Sequence, residues 1–254
     1  MTDQIQHKLS QIEKQHNVKI LFAIESGSRA WGFASPDSDY DVRFIYVRPL
    51  EYYLRLDKTS DVIEWQLDDV FDICGWDIKK ACELLYKSNP TLLEWCRSPI
   101  VYKTTAEFER FKEVANNCAI NKAVLYHYLS MAKKQYHRYM EGEQVTHKKY
   151  LYQLRAVLAC NWILEHNEPP PMEFETMMNY YFSGDMLSVT QRLVEIKKQS
   201  LEKDIAKKIS IIDDYLYEQF AIIENKLQAL ETTDKNSWQP INELFLSYIL
   251  DTCR

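Results

Sequence analysis

The period of apolar positions changes along the chain. Near the start, Ile5, Leu9 and Ile12 recur at helical spacing in an otherwise polar stretch, which predicts an amphipathic helix. VKILFAI (18–24) is a continuous β-rich apolar run, the pattern of a buried strand. DYDVRFIYV (39–47) predicts a second strand, closed by a turn at Pro49. VIEWQL (62–67) and DVFDIC (69–74) predict two short strands, and WDIKKACELLYKS (76–88) a helix that stops before Asn89-Pro90.

From about Ala106 the strand signals fade. NKAVLYHYLSMAKKQYHRYM (121–140) and THKKYLYQLRAVLACNWILEH (146–166) each suit a single helix, the second with Thr146 as N-cap. EPPP (168–171) breaks the pattern, because consecutive prolines remove the amide donors a helix needs. Further helices are expected over 172–182, 185–199, 201–230 and 239–251. The sum is an α+β chain: a mixed-sheet head over residues 1–117 and a C-terminal helical bundle over 118–254, with the boundary between about 105 and 118. No internal repeat or low-complexity tract interrupts it.

At 254 residues with 46% hydrophobic content the chain can bury the core of one or two domains. Its apolar runs fall far short of the roughly 20 residues of a membrane span, and MTDQIQHKLS lacks a signal peptide's apolar stretch, so a cytoplasmic location is expected. The six cysteines are widely spaced without a CxxC pair and read as buried thiols rather than zinc ligands or disulfides. A net charge of −6 argues against a protein that coats nucleic acid indiscriminately. The charge is polarised, however. Residues 121–155 carry seven bases against Glu141 and Glu143, whereas 61–77 carry six acids and no base.

The sharpest chemical signal is SGSRAWGFASPDSDYD (26–41). Two of only five glycines, Gly27 and Gly32, precede aspartates at alternating positions, Asp37, Asp39 and Asp41, and three like charges so close call for something positive among them. Strand alternation puts Asp39 and Asp41 on one face about 7 Å apart, a geometry that can converge on a pair of magnesium ions. Gly27-Ser28 follows the first strand directly, where glycine lets backbone amides approach a phosphate. A calcium EF-hand counted from Asp37 fails, since Val42 stands where the loop needs glycine and Arg48 where it needs glutamate. A P-loop counted from Gly27 fails at Phe33-Ala34, where Lys and Ser/Thr must stand. A polar Asx turn accounts for SPDSD but leaves Asp41, inside an apolar strand, unexplained.

Gly27-Ser28, ten residues, then Asp39-Tyr40-Asp41 in a strand resembles the GS…DxD signature of the DNA polymerase beta-like nucleotidyltransferase superfamily. ESGSRAWGFASPDSDYDVRFIYVRPLEYYL, FDICGWDIKKACELLYKSNPTLLEWCRSPIVY and KKYLYQLRAVLACNWILE further resemble the RNA repair pathway DNA polymerase beta family, a bacterial and phage-linked group named for its association with RNA ligases. The similarity is specific over the first 102 residues and looser beyond Asn167.

The resemblance implies that Asp39 and Asp41 hold two Mg²⁺ (or Mn²⁺), and that Gly27 with Ser28 binds the β- and γ-phosphates of a nucleoside triphosphate such as ATP. It also implies a third carboxylate from a neighbouring strand, ligating metal and helping to deprotonate the attacking hydroxyl. Asp72 in VFDIC has the hydrophobic-Asp-hydrophobic setting and is preferred. Asp77 is the rival, either pointing into the cleft or stabilising its helix's dipole. Arg29 either adds charge at the triphosphate or forms a surface salt bridge. Lys149 and Arg155, six apart on one predicted helix, either bracket a cleft and bind nucleotide or belong to a solvated basic face. The implied activity is nucleotidyl transfer to an acceptor hydroxyl with release of pyrophosphate. An RNA end is the first-ranked acceptor, given the RNA-ligase association and the basic segment. Nucleotidylation of a small molecule or protein, and a catalytically silent nucleotide-binding protein, are the alternatives.

Overall fold

The computed structural model describes residues 1–140, 144–199, 205–230 and 236–251. Helix α1 (Thr2–His16) buries Ile5, Leu9 and Ile12 and ends at a left-handed Asn17. Then come β1 (Lys19–Glu25), the single turn α2 (Gly27–Ala30), β2 (Tyr40–Val47), α3 (Leu50–Tyr53), β3 (Val62–Leu67), β4 (Phe71–Asp77), α4 (Ile78–Tyr86), α5 (Pro90–Trp95), β5 (Val101–Thr104) and α6 (Ala106–Asn117). The remainder comprises α7 (Asn121–Tyr139), β6 (Gln144–Thr146), α8 (His147–His166), α9 (Phe174–Tyr181), α10 (Gly184–Gln199), β7 (Ile205–Lys207), α11 (Ser210–Ala229) and α12 (Trp238–Asp251). This is the α+β architecture expected. No helix among the described residues is long and apolar enough to cross a membrane.

The chain forms two compact units. The first takes Met1–Ala30, Asp39–Ala119 and Lys235–Arg254, and holds a five-stranded sheet in the order β3-β4-β2-β1-β5. Of its pairings only β2 with β4 is parallel. Alternation along β2 sends Val42, Phe44 and Tyr46 into a core shared with Ile5, Leu9 and Ile12 of α1. On β1, Phe22 stacks on Phe108 of α6 with ring centres 3.7 Å apart. Helix α12 packs on α4 and α6, where Trp238 stacks on Tyr86 at 3.8 Å and the Tyr248 hydroxyl donates to the Glu107 carbonyl.

The second unit takes Trp31–Ser38 and Ile120–Asp234. Its centre is α8, which packs against α7, α9, α10 and α11 and buries most of its length, including Tyr150, Leu151, Leu154, Val157 and Leu158. A helix apolar nearly all round belongs inside a bundle. The segment 31–38 is fixed in this unit by a buried lysine. Lys197 of α10, 1% exposed, donates to the Ser35 hydroxyl at 2.5 Å, and the Ser35 and Ser38 hydroxyls lie 2.9 Å apart.

Two expectations shift. The helix expected from Trp76 begins at Ile78, because β4 continues to Asp77, whose extended backbone lets its carboxylate accept from the Lys79 amide as N-cap. Of the helix expected over 201–230, residues 201–204 lie outside the described residues, 205–207 form β7, and the helix starts at Ser210. Strands β5, β6 and β7 have four, three and three residues, too short for a period to register.

Gly75 marks a close approach within the sheet. It pairs with Phe44 across β2 and β4, and a Cβ there would lie 2.1 Å from the Phe44 ring. Gly75→Ala should therefore force the aromatic aside and lower unfolding stability by about 1–3 kcal/mol, measured as a reduced urea midpoint at unchanged slope.

Candidate active site

The parallel pairing of β2 with β4 sets Asp41 directly opposite Asp72. Asp39 precedes β2 by one residue. One carboxylate oxygen from each of Asp39, Asp41 and Asp72 lies within 4.8 Å of the other two. All three are part-exposed. On β2 the next residue of the same face is Arg43, and its guanidinium binds two of the acids: Nη2 lies 2.8 Å from Asp41 Oδ1 and 2.6 Å from Asp72 Oδ2, while Nη1 donates to the Asp72 carbonyl at 2.6 Å. Burial pulls the Arg43 pKa down, but the Asp72 hydrogen bond and the two acidic charges outweigh it and raise it.

Gly27 closes the site from the other side. Its φ is +61°, and an added Cβ would stand 2.1 Å from Asp41 Oδ2, so the carboxylate rests against backbone that no larger residue could supply. The Ser26 amide donates to the Asp41 carbonyl at 2.8 Å, and the Asp41 amide donates to Glu25 Oε1 at 2.9 Å. Ser28 is buried on the α2 turn. Arg29 covers the Tyr40 ring at 3.8 Å and donates from Nε to the Asp39 carbonyl at 2.9 Å. It thus braces the first acid's backbone.

Glu25 lies wholly buried beneath the cluster, with Oε2 accepting from the Tyr102 hydroxyl at 2.5 Å. Burial pushes its pKa up to about 7, against the lowering pull of those hydrogen bonds. Neither Arg43 nor Glu25 was among the residues expected from sequence. The signal for Arg43 is its parity with Asp39 and Asp41; Glu25 carries none beyond a carboxylate ending an apolar strand.

Asp77 stands apart from this group. It sits five residues further along β4, caps α4 through the Lys79 amide at 2.8 Å, accepts from the Tyr53 hydroxyl at 3.1 Å, and has its pKa raised by burial. In the second unit, Lys149 places its ammonium 3.4 Å from the Tyr139 ring centre. Arg155 is 3% exposed, with its guanidinium 4.2 Å from the Trp31 ring centre, so it is no part of a solvated basic face. Other bases of that stretch are engaged, Lys133 with Glu224 and Lys122 with the Leu230 carbonyl.

The donor set fits a divalent cation. Three carboxylates provide hard oxygen ligands of the kind Mg²⁺ and Mn²⁺ take, and their partial exposure leaves room for the water and phosphate oxygens such ions keep.

Comparison with known proteins identifies relatives of the chain. The model of the RNA repair pathway DNA polymerase beta family matches residues 1–247. An uncharacterized protein, YcgL of Bacillus subtilis (strain 168), is 40% identical over 253 residues, covering 98% of this chain and 96% of its own. Among solved structures, a nucleotidyltransferase-like protein from Exiguobacterium sibiricum 255-15 aligns over 98% of this chain and 81% of its own, at 10% identity and a TM-score of 0.32.

The raised Glu25 pKa has a signed consequence for stability. Below the unfolded pKa near 4.5 both states are protonated and the buried acid carries no penalty. As pH rises toward about 7 the unfolded chain releases its proton first, and stability falls. Glu25→Gln should flatten the stability profile between pH 4.5 and 7, and gain up to about 3 kcal/mol over the parent at pH 7.5, read from urea unfolding in EDTA.

Proposed function

The chain belongs to the RNA repair pathway DNA polymerase beta family, and from that membership and the acid cluster we propose that it transfers a nucleoside monophosphate from a nucleoside triphosphate to an acceptor hydroxyl, with an RNA end as the acceptor. The convergence of Asp39, Asp41 and Asp72 beside Gly27 carries this reading. Asp39 and Asp41 would hold divalent cations with Asp72; when bound, such ions neutralise charge on the attacking and leaving oxygens of an in-line displacement at phosphorus.

The chain's own groups have separable tasks. Gly27 and Ser28 receive the triphosphate, and Arg29 keeps Asp39 in place. Arg43 occupies Asp72 Oδ2, which leaves Oδ1 to accept the proton of the acceptor hydroxyl. As that oxygen bonds to the α-phosphorus, the bond from α-phosphorus to the bridging oxygen breaks and pyrophosphate departs. Lys149 and Arg155 remain proposed nucleotide contacts. Arg155 has a further task in holding Trp31, four residues beyond Gly27.

Incubation with each α-³²P-labelled triphosphate, Mg²⁺ or Mn²⁺, and hydroxyl-terminated RNA tests the activity; labelling of a small molecule or a protein instead of RNA would redirect the acceptor. Asp72→Ala should retain triphosphate binding by calorimetry yet lose transfer at least a hundredfold, since it acts on the hydroxyl only as the reaction proceeds. Asp77→Ala should keep transfer and cost about 1–2 kcal/mol of stability through the lost helix cap. The opposite ranking in turnover would move the third acid to Asp77. Lys149→Glu should weaken triphosphate binding and make it less salt-dependent, because fewer phosphate contacts release fewer counterions; binding unchanged at low salt would remove Lys149 from the site.

A further inference from the structure

The sheet face that carries the acid cluster continues beyond it. Along β4 the side chains of Asp72, Cys74 and Trp76 fall on one face, and the strand register places Arg43 of β2 and Glu64 of β3 on either side of Cys74. A cavity of about 560 Å³ lies here, with Arg43, Glu64, Asp72, Cys74, Trp76 and Trp95 in its lining. It reaches from Asp72 to Trp76, roughly 13 Å along the strand, and its size is that of a small-molecule site.

Shape and charge restrict what it can take. Trp76 stacks on Trp95 with ring centres 3.8 Å apart and planes 26° from parallel, and Trp95 is 2% exposed, so the indole pair is a fixed wall. The Trp95 indole N–H has no acceptor among the described residues. Among the described residues Arg43 is the one cation in the lining, and both its terminal nitrogens are already held by Asp41, Asp72 and the Val42 and Asp72 carbonyls. Glu64 and Asp72 add two carboxylates. A phosphate in this cavity would meet net negative charge and no uncommitted cation. A flat, uncharged ring bearing a hydroxyl would meet an aromatic surface at one end and a proton-accepting carboxylate at the other.

Resting on the nucleotidyl-transfer reading of the acid cluster, we propose that this cavity is the acceptor subsite and that it takes a nucleoside with a free hydroxyl, its base against Trp76 and its hydroxyl at Asp72. A terminus that ends in phosphate is refused. The nucleoside is either free or the last residue of an RNA.

Binding of adenosine to the full chain in EDTA, followed by intrinsic tryptophan fluorescence, tests this without metal, triphosphate or turnover. Adenosine should quench saturably, Trp76→Leu should weaken binding at least tenfold, and adenosine 3′-monophosphate should bind at least fivefold more weakly than adenosine. Glu64 is exposed, so Glu64→Arg should fold normally and reverse the preference between the two ligands. A short oligoadenylate with a 3′-hydroxyl, bound more tightly than adenosine, assigns the site to an RNA terminus; tighter binding of adenosine assigns it to the free nucleoside. Equal quenching of parent and Trp76→Leu, tighter binding of the monophosphate by the parent, or saturable binding of a polyammonium sugar in place of adenosine would overturn the proposal. Adenosine binding that survives while no triphosphate transfers its label would sink the transfer reaction and leave the cavity's ligand standing.

Discussion

The arrangement depends on one strand pairing. Parallel registry of β2 with β4 brings Asp41 and Asp72 face to face, and the short approach to β2 adds Asp39. Carboxylates set that close repel, so the pairing holds only with compensation from nearby. Arg43 provides it from the same face of β2, gripping Asp41 and Asp72 together with the Asp72 carbonyl. The parallel pair in turn needs a connection long enough to return the chain, and α3 with β3 supplies it, β3 then pairing antiparallel with β4 as the sheet's edge.

Beneath the acids the interior also holds a group that resists burial. Glu25 occupies a position where a strand of this composition would ordinarily place an aliphatic residue, and its carboxyl is held by the Asp41 amide and Tyr102. A buried acid beneath three others opposes folding at neutral pH. Such a concentration of unfavourable charge in one corner, against an otherwise apolar sheet, is the usual mark of a place kept for chemistry rather than stability.

Much of this was legible in the sequence, for identifiable reasons. α1, β1 and β2 are long enough for a period to show, and Asp39, Asp41 and Asp72 declare themselves as acids in or beside apolar strands. Arg43 was missed although it shares their parity, because a lone cation in a strand reads as solvent-facing until the neighbouring strand is known. Trp76 was assigned to a helix, since the residues after it are strongly helical; only the extended backbone at Asp77 shows that it ends a strand instead. Arg155 was weighed as a nucleotide contact or part of a solvated face, and neither reading foresaw its burial, which depends on Trp31, 124 positions earlier in the sequence. Local pattern reports local order, and long-range partners lie outside it.

The allocation of the chain to its two units has a bearing on biosynthesis. The polypeptide changes unit four times, after Ala30, Ser38, Ala119 and Asp234. Helix α12, which covers α4 and α6, is made after the second unit. A growing chain thus exposes the apolar faces of α4 and α6 until α12 emerges, so the unit that holds the sheet is closed only after the second unit has been made. Premature termination anywhere in the helical half would leave a sheet with its outer helices uncovered, a species suited to chaperone capture rather than to partial function.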